Sequence, residues 1–327
     1  MTGPGNHRDD NNGPVEGRGR GNWGRWGGGD ERGTLNLLTA DAVVAAAGCV
    51  RQGRVLSLSL PIRGATSSAA PATVPHLRGR PLPQHFMSVD GGDYAAGARP
   101  IGAGLRMADD ALVVSWHGTT THMDALCHMW AGDELYNGHP AGRVRSYGAS
   151  RCGIEKAGPV VGRGVLLDVA RSRGVGHLAA ADRIDGDDLA RCAAAAGTQV
   201  EAGDIAVVRT GWPAVWETAG PDAYWAGQPG LSADGGAWLA ERDVAMVACD
   251  NAAISGLNAR QMADESLRDD LHLMFLWHHG IHLAEMLWLE ELSGALAAAS
   301  QGSFLFVAAP LAIEGGTGSP INPVAIL

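Results

Sequence analysis

The stretch Ser115-Trp116-His117-Gly118-Thr119-Thr120-Thr121-His122-Met123-Asp124-Ala125-Leu126-Cys127-His128 puts three histidines and a carboxylate within twelve residues. Ala111-Leu112-Val113-Val114-Ser115 before it reads as a strand that delivers the polar side chains into a pocket. His122 and Asp124 are two apart and share one side of an extended segment. Asp124 and His128 are four apart and share a face if a helical turn begins between them. Imidazole nitrogens and a carboxylate are ligands for zinc, manganese or iron, and such an ion acidifies water enough for nucleophilic attack near neutral pH. Gly118 and the three threonines can orient those ligands. A lone histidine is more often a core residue satisfied by hydrogen bonds; four candidate ligands this dense favour a metal. Cys127 reads as a small buried packing residue rather than a nucleophile.

The composition removes several function classes. The chain has 327 residues, 46% of them apolar, enough for one large or two small domains. A net charge of −10 argues against nucleic acid, whose phosphates require a basic face. No apolar run reaches the ~18 residues of a membrane span, and no apolar leader opens the chain. Five scattered cysteines with no CxxC pair fit a reduced cytoplasmic protein. Lys156 is the only lysine among 25 basic residues, and its surroundings do not suggest a Schiff-base amine.

Outward from the motif, residues 1–20 are mostly Gly, Asn, Asp and Arg with almost no apolar side chains and are expected to be a disordered arm, leaving residues 21–327 as one domain. Asn22-Trp23-Gly24-Arg25-Trp26-Gly27 presents two tryptophans on a loop, as substrate wall or as core plug. Thr39 is a plausible N-cap for a helix over residues 40–50. Residues 54–60 alternate like a strand that stops at Pro61. Residues 63–100 lack periodicity and read as a functional excursion or lid. Strands are expected over residues 164–170, 204–210, 244–250 and 303–309. Helices are expected over 184–196, with Asp185 as N-cap, and over 232–241, 267–277 and 287–299. Residues 315–323 read as a tight loop, with no phosphate cradle in Gly315-Gly316-Thr317-Gly318. Strands interleaved with helices point to an α/β class.

A second constellation holds His272, His278, His279, His282 and Glu285. HExxH is absent, so this is no zincin helix. A partly buried Glu285 would want a cation partner.

Thr121-His122-Met123-Asp124-Ala125-Leu126-Cys127-His128 resembles the signature of the cyclase family, the kynurenine formamidase-like metal hydrolases. Asn22–Gly27 with Gly33-Thr34-Leu35-Asn36 looks like the opening of its longer members. Asp133–Gly138 looks like their Asp-Gly-x-x-Tyr-Asn-Gly loop with Glu134 in place of glycine, and Ala309-Pro310-Leu311 with residues 315–323 like their ending. The resemblance implies a swivelling β/β/α-type fold with a mixed sheet and flanking helices, a divalent metal, zinc or manganese, and a homo-oligomer, dimer or tetramer. It makes His122 and Asp124 ligands, His128 the catalytic acid/base, and His272 with Glu285 a second ligand pair. The family's first ligand stands four residues before the second. Here Gly118 holds that place and His117 is five before, so on a regular strand His117 would face away from His122. A bulge at Gly118 would restore it.

The leading expectation is a metal-dependent hydrolase of an amide, lactam or lactone. Trp23, Trp26, Trp130 and Tyr136 would wall an aromatic small molecule. The alternatives are a polyketide-type cyclase or dehydratase of secondary metabolism, and a non-catalytic homologue that has lost a ligand at His117.

Overall fold

The computed structural model describes residues 21–63, 75–77, 79–256 and 271–327. The arm assigned to residues 1–20, and the start of the helix expected from residue 267, lie outside the described residues. The remainder is a mixed α/β fold built on a nine-stranded sheet. Its strands are β1 (Val55–Ser57), β2 (His122–Asp124), β3 (Val160–Asp168), β4 (Ile205–Arg209), β5 (Met246–Cys249), β6 (His282–Glu285), β7 (Ser303–Ala308), β8 (Gly318–Pro320) and β9 (Val324–Ile326). Across the sheet the order is β1-β9-β7-β3-β4-β5-β6-β2-β8.

Strands β3 to β6 are parallel neighbours, and the pairs outside them are antiparallel. The physical reason is visible in the side chains. Every residue of β4, β5 and β6 is buried, as expected of parallel strands covered on both faces. β7, in contrast, alternates between half-buried and buried residues.

Local signals fix several helix ends. Thr39 accepts from the Ala42 N–H and starts the helix Ala40–Ala47. Asp185 and Asp188 form a reciprocal capping box on Gly186–Ala195. Both helices pack on β3.

Three expectations need correction. The strand foreseen at residues 111–115 does not run on into the motif. Asp109–Val113 pairs instead with Gln84–Val89 as a separate two-stranded ribbon. That ribbon leaves Phe86, Met87, Leu112 and Val113 largely exposed. The tail read as a loop over residues 315–323 supplies strand β8, which pairs with the motif strand β2, and the unforeseen β9 follows it. A helix at Pro213–Trp225 was not anticipated, because Gly220 and Pro221 interrupt its pattern; the chain kinks there, with Gly220 at φ 81°. No helix among the described residues is long and apolar enough to cross a membrane.

Candidate metal centre

Backbone register assembles the core of the site. On antiparallel β2 and β6, Glu285 lies opposite His122 and Leu283 opposite Asp124. His122, Asp124 and Glu285 therefore share one face of the sheet. His282, three residues before Glu285, falls on the other face and is buried there.

His117 reaches the same place by a turn rather than by a bulge. The Thr119 and Thr120 N–H groups both bond the Trp116 carbonyl, and Gly118 takes φ 71°. This left-handed position suits glycine, and a Cβ there would meet Leu77 Cβ at 2.9 Å. The turn lies outside any ladder, so strand parity does not apply to His117. His128 comes in on a further turn, its N–H bonded to the Ala125 carbonyl at 2.9 Å. His272 stands at the head of a π-helix, Leu273–His279, a geometry often found at functional sites.

The distances are short and the groups buried. His117 Nδ1 lies 2.9 Å from Asp124 Oδ1. His122 Nε2 lies 3.5 Å from both Asp124 Oδ1 and Glu285 Oε2. His272 Nε2 is 3.3 Å from Glu285 Oε1 and 3.8 Å from Asp124 Oδ2. The His117 and His128 rings stack at 3.9 Å, only 5° from parallel. Two sets of converging ligand atoms result, His117–Asp124–His128 and His122–Asp124–Glu285, and Asp124 belongs to both.

His117 Nδ1, both Asp124 oxygens and Glu285 Oε1 are buried with no hydrogen-bond partner among the described residues. Each unmade bond costs roughly 1–3 kcal/mol, more where the group is charged. Two buried carboxylates side by side with three bare oxygens, ringed by imidazole nitrogens, form a donor set that fits a divalent cation.

Electrostatics point the same way. Burial pushes the Asp124 carboxyl up, but facing His128, His117 and His122 outweigh it and hold it below the usual carboxylate range. Burial, then the Asp124 charge, raise Glu285, against the opposing pull of His272. Burial pushes His128 down to about 3, helped by the neighbouring imidazoles and opposed by Asp124. Its imidazole is therefore neutral at physiological pH. Cys127 is wholly buried and pushed up to about 12, chiefly by burial, so it is no thiolate nucleophile.

Of the residues that position the ligands, the sequence pointed to the threonines, Thr120 among them, and passed over Trp116, Thr317 and Gly318. The His122 Nδ1–H bonds the Thr120 carbonyl at 2.8 Å, which turns Nε2 toward the carboxylates. Thr317 Oγ1 lies 3.2 Å from His117 Nε2, and the Trp116 indole N–H points at the same nitrogen from 3.1 Å. Gly318 completes the packing, since a Cβ there would sit 2.8 Å from His117 Cε1 and 2.7 Å from the Met123 carbonyl. The available signal was the glycine-rich run at residues 315–318, whose glycine permits close approach rather than phosphate binding. Gly318→Ala is expected to displace His117 and weaken metal affinity by ~10-fold or more, the scale of losing an orienting partner. Metal titration followed by calorimetry checks this, and an unchanged affinity would remove Gly318 from the site.

The aromatic residues expected to wall a substrate each have a place in the packing. Tyr136 is fully buried and donates its hydroxyl to Asp30 at 3.2 Å. Trp23 meets Trp277 edge-on at 5.4 Å and donates to its carbonyl. Trp26 lies under the Arg25 guanidinium, and Trp130 packs on the margin of the core.

Comparison with known proteins agrees with this architecture. The Cyclase family model matches residues 56–255. A crystal structure of a novel cyclase is 34% identical over 94% of this chain and 99% of its own, with a TM-score of 0.84. Isatin hydrolase A from Ralstonia solanacearum is 19% identical, covering 88% of this chain and 97% of its own, with a TM-score of 0.58. An isatin hydrolase bound to the product analogue thioisatinate is 18% identical over 88% of this chain and 99% of its own, with a TM-score of 0.57. At 18–19% identity these two establish a shared fold. None of the curated proteins compared with the chain matches it. A family match over residues 56–255, joined to a structure alike over nearly the whole chain, leads to one conclusion: this chain is an enzyme of the cyclase family.

Proposed function

We propose that the chain is a metal-dependent hydrolase that opens an amide, lactam or lactone of a cyclic or aromatic small molecule. The observation that carries this reading is Asp124, buried between two ligand sets with neither oxygen hydrogen-bonded. His117, His122 and Asp124 would hold a first divalent ion, zinc or manganese, and His272 with Glu285 would add a second pair of ligands. A divalent ion in this position supplies Lewis acidity, which polarises a carbonyl and acidifies water.

The chain's own groups do the rest. The Thr120 carbonyl fixes the tautomer of His122, and the Thr317 hydroxyl and the Trp116 indole hold the His117 ring. Neutral His128, stacked on His117, takes a proton from the attacking water and passes it to the leaving nitrogen or oxygen. The near-complete burial of His122, Asp124 and Glu285 keeps bulk water from screening these charges.

We assign the protein to the cytoplasm on its unpaired thiols. The exposed apolar side chains of the Gln84–Val113 ribbon support a homo-oligomer, dimer or tetramer.

Turnover in oxygen-18 water tests hydrolysis against ring closure. The expected result is one labelled oxygen in the product carboxylate, lost when a chelator strips the metal and regained on adding zinc or manganese. An unlabelled cyclised product would overturn hydrolysis in favour of a cyclase or dehydratase.

A further inference from the structure

The π-helix that carries His272 is capped by a remote part of the chain. A helix end leaves its last carbonyls without partners inside the helix. Here four consecutive carbonyls at that end are met one by one from residues 22–34, which lie 246–257 positions away. The Trp23 indole N–H donates to the Trp277 carbonyl at 2.6 Å. The Asn22 N–H donates to the His278 carbonyl at 3.1 Å, and its side-chain amide to the His279 carbonyl at 2.9 Å. The Gly280 carbonyl accepts from the Thr34 N–H at 2.9 Å and from the Thr34 hydroxyl at 3.2 Å. The two segments run so close that a Cβ on Gly33 would collide with the Gly280 carbonyl.

This strap is itself anchored. Asn137 accepts from the Gly24 N–H at 2.8 Å and donates to the Gly27 and Asp30 carbonyls at 2.9 and 3.0 Å. The Trp277 indole donates to the Glu134 carbonyl at 2.7 Å. The tryptophan loop near the start of the chain and the Asp133–Gly138 loop thus close together around the end of the π-helix.

Gly280 is the joint between two of the candidate ligands. The helix behind it begins at His272, and β6 ahead of it ends on Glu285. Gly280 sits at φ 62°, and glycine takes either sign of φ readily, so the joint has little stiffness of its own. A rotation there changes the 3.3 Å separation of His272 Nε2 from Glu285 Oε1. On one side of the joint β6 is fixed by its pairing with β5 and β2. On the other, Phe275 and Leu276 bury the helix body, but apolar contact is non-directional. The directional restraint on the helix end comes from the strap's bonds to its carbonyls.

We propose that Asn22, Trp23 and Thr34 are positioning residues for the His272–Glu285 pair. By occupying the carbonyls around Gly280 they set the angle at which the pair closes on a divalent ion. Trp23 then serves the metal centre through the helix rather than by touching a substrate. The proposal rests on the reading of His272 and Glu285 as metal ligands.

Zinc release from the metal-loaded full-length protein, followed against a competing chelator, tests both and separates them. Two release steps are expected, and Glu285→Gln identifies the one that depends on the pair. Asn22→Ala, Trp23→Phe and Thr34→Val should each weaken that same step by ~10-fold, the scale of losing an orienting partner, and leave the other step as in wild type. Thr34→Ser, which keeps the hydroxyl, should stay near wild type. An unchanged pair-dependent step in all three variants, equal weakening of both steps, or Thr34→Ser as weak as Thr34→Val overturns the positioning role while the ligand pair stands. A single release step in the wild type, or Glu285→Gln indistinguishable from wild type, removes the ligand pair and the positioning role with it.

Discussion

Asp124→Ala is expected to abolish divalent-metal binding and, with it, catalysis. Asp124 is the one residue common to both ligand sets, so its loss opens both at once. Either set is left with two imidazoles or an imidazole and one carboxylate. The fall in zinc or manganese affinity should exceed the ~10–100-fold seen when an outer partner is lost. Metal content after gel filtration and calorimetric titration read this directly.

A thermal measurement gives an independent check. Ligand that binds only the folded state stabilises it by about 2.7 kcal/mol at a hundredfold excess over Kd. The wild type should therefore melt higher on adding zinc or manganese, and Asp124→Ala should not respond. The variant also relieves the metal-free protein of a buried carboxylate beside Glu285. Its failure to respond is thus not expected to come from unfolding. A variant that still takes up metal stoichiometrically would refute the ligand assignment.

His128→Ala is expected to lower turnover by ~10²–10⁴-fold, the usual contribution of a positioned acid/base, while KM and metal content stay near those of wild type. The stacking of His128 on His117 makes the metal readout decisive. His128 Nδ1 or Nε2 also converges with His117 and Asp124. Loss of metal together with activity would make His128 a ligand and leave the proton-transfer role to another group. Retained metal with lost turnover is the signature of proton transfer alone.

Much of the centre was legible in the sequence because short-range parity governs it. His122 and Asp124 needed only an extended backbone to share a face, and β2 supplies one. Asp185 and Thr39 announced their helices because a cap is a local interaction between a side chain and backbone three residues on. The buried runs of β4 and β5 were readable because parallel strands need no alternation.

What failed to show was long-range or turn-dependent. His117 looked misplaced under strand parity, and the Trp116–Thr120 turn removes it from that rule. The ribbon of Gln84–Val89 with Asp109–Val113 pairs segments across a low-periodicity stretch, and the tail's pairing with β2 joins residues nearly two hundred positions apart. Thr317 and Gly318 acquire meaning only through that pairing.

The sequence by itself determined the α/β class, the kinship with the cyclase family, and the chemical character of the site: imidazoles and carboxylates at spacings that local geometry converts into a common face. The tertiary structure decided which of the distant histidines joins them. Antiparallel register of β2 on β6 sets Glu285 opposite His122 and turns His282 away, and the π-helix brings His272 to within 3.3 Å of Glu285. The reason is physical. Side-chain direction along one strand follows from bond geometry, whereas the choice of neighbouring strand follows from burying the whole core at once.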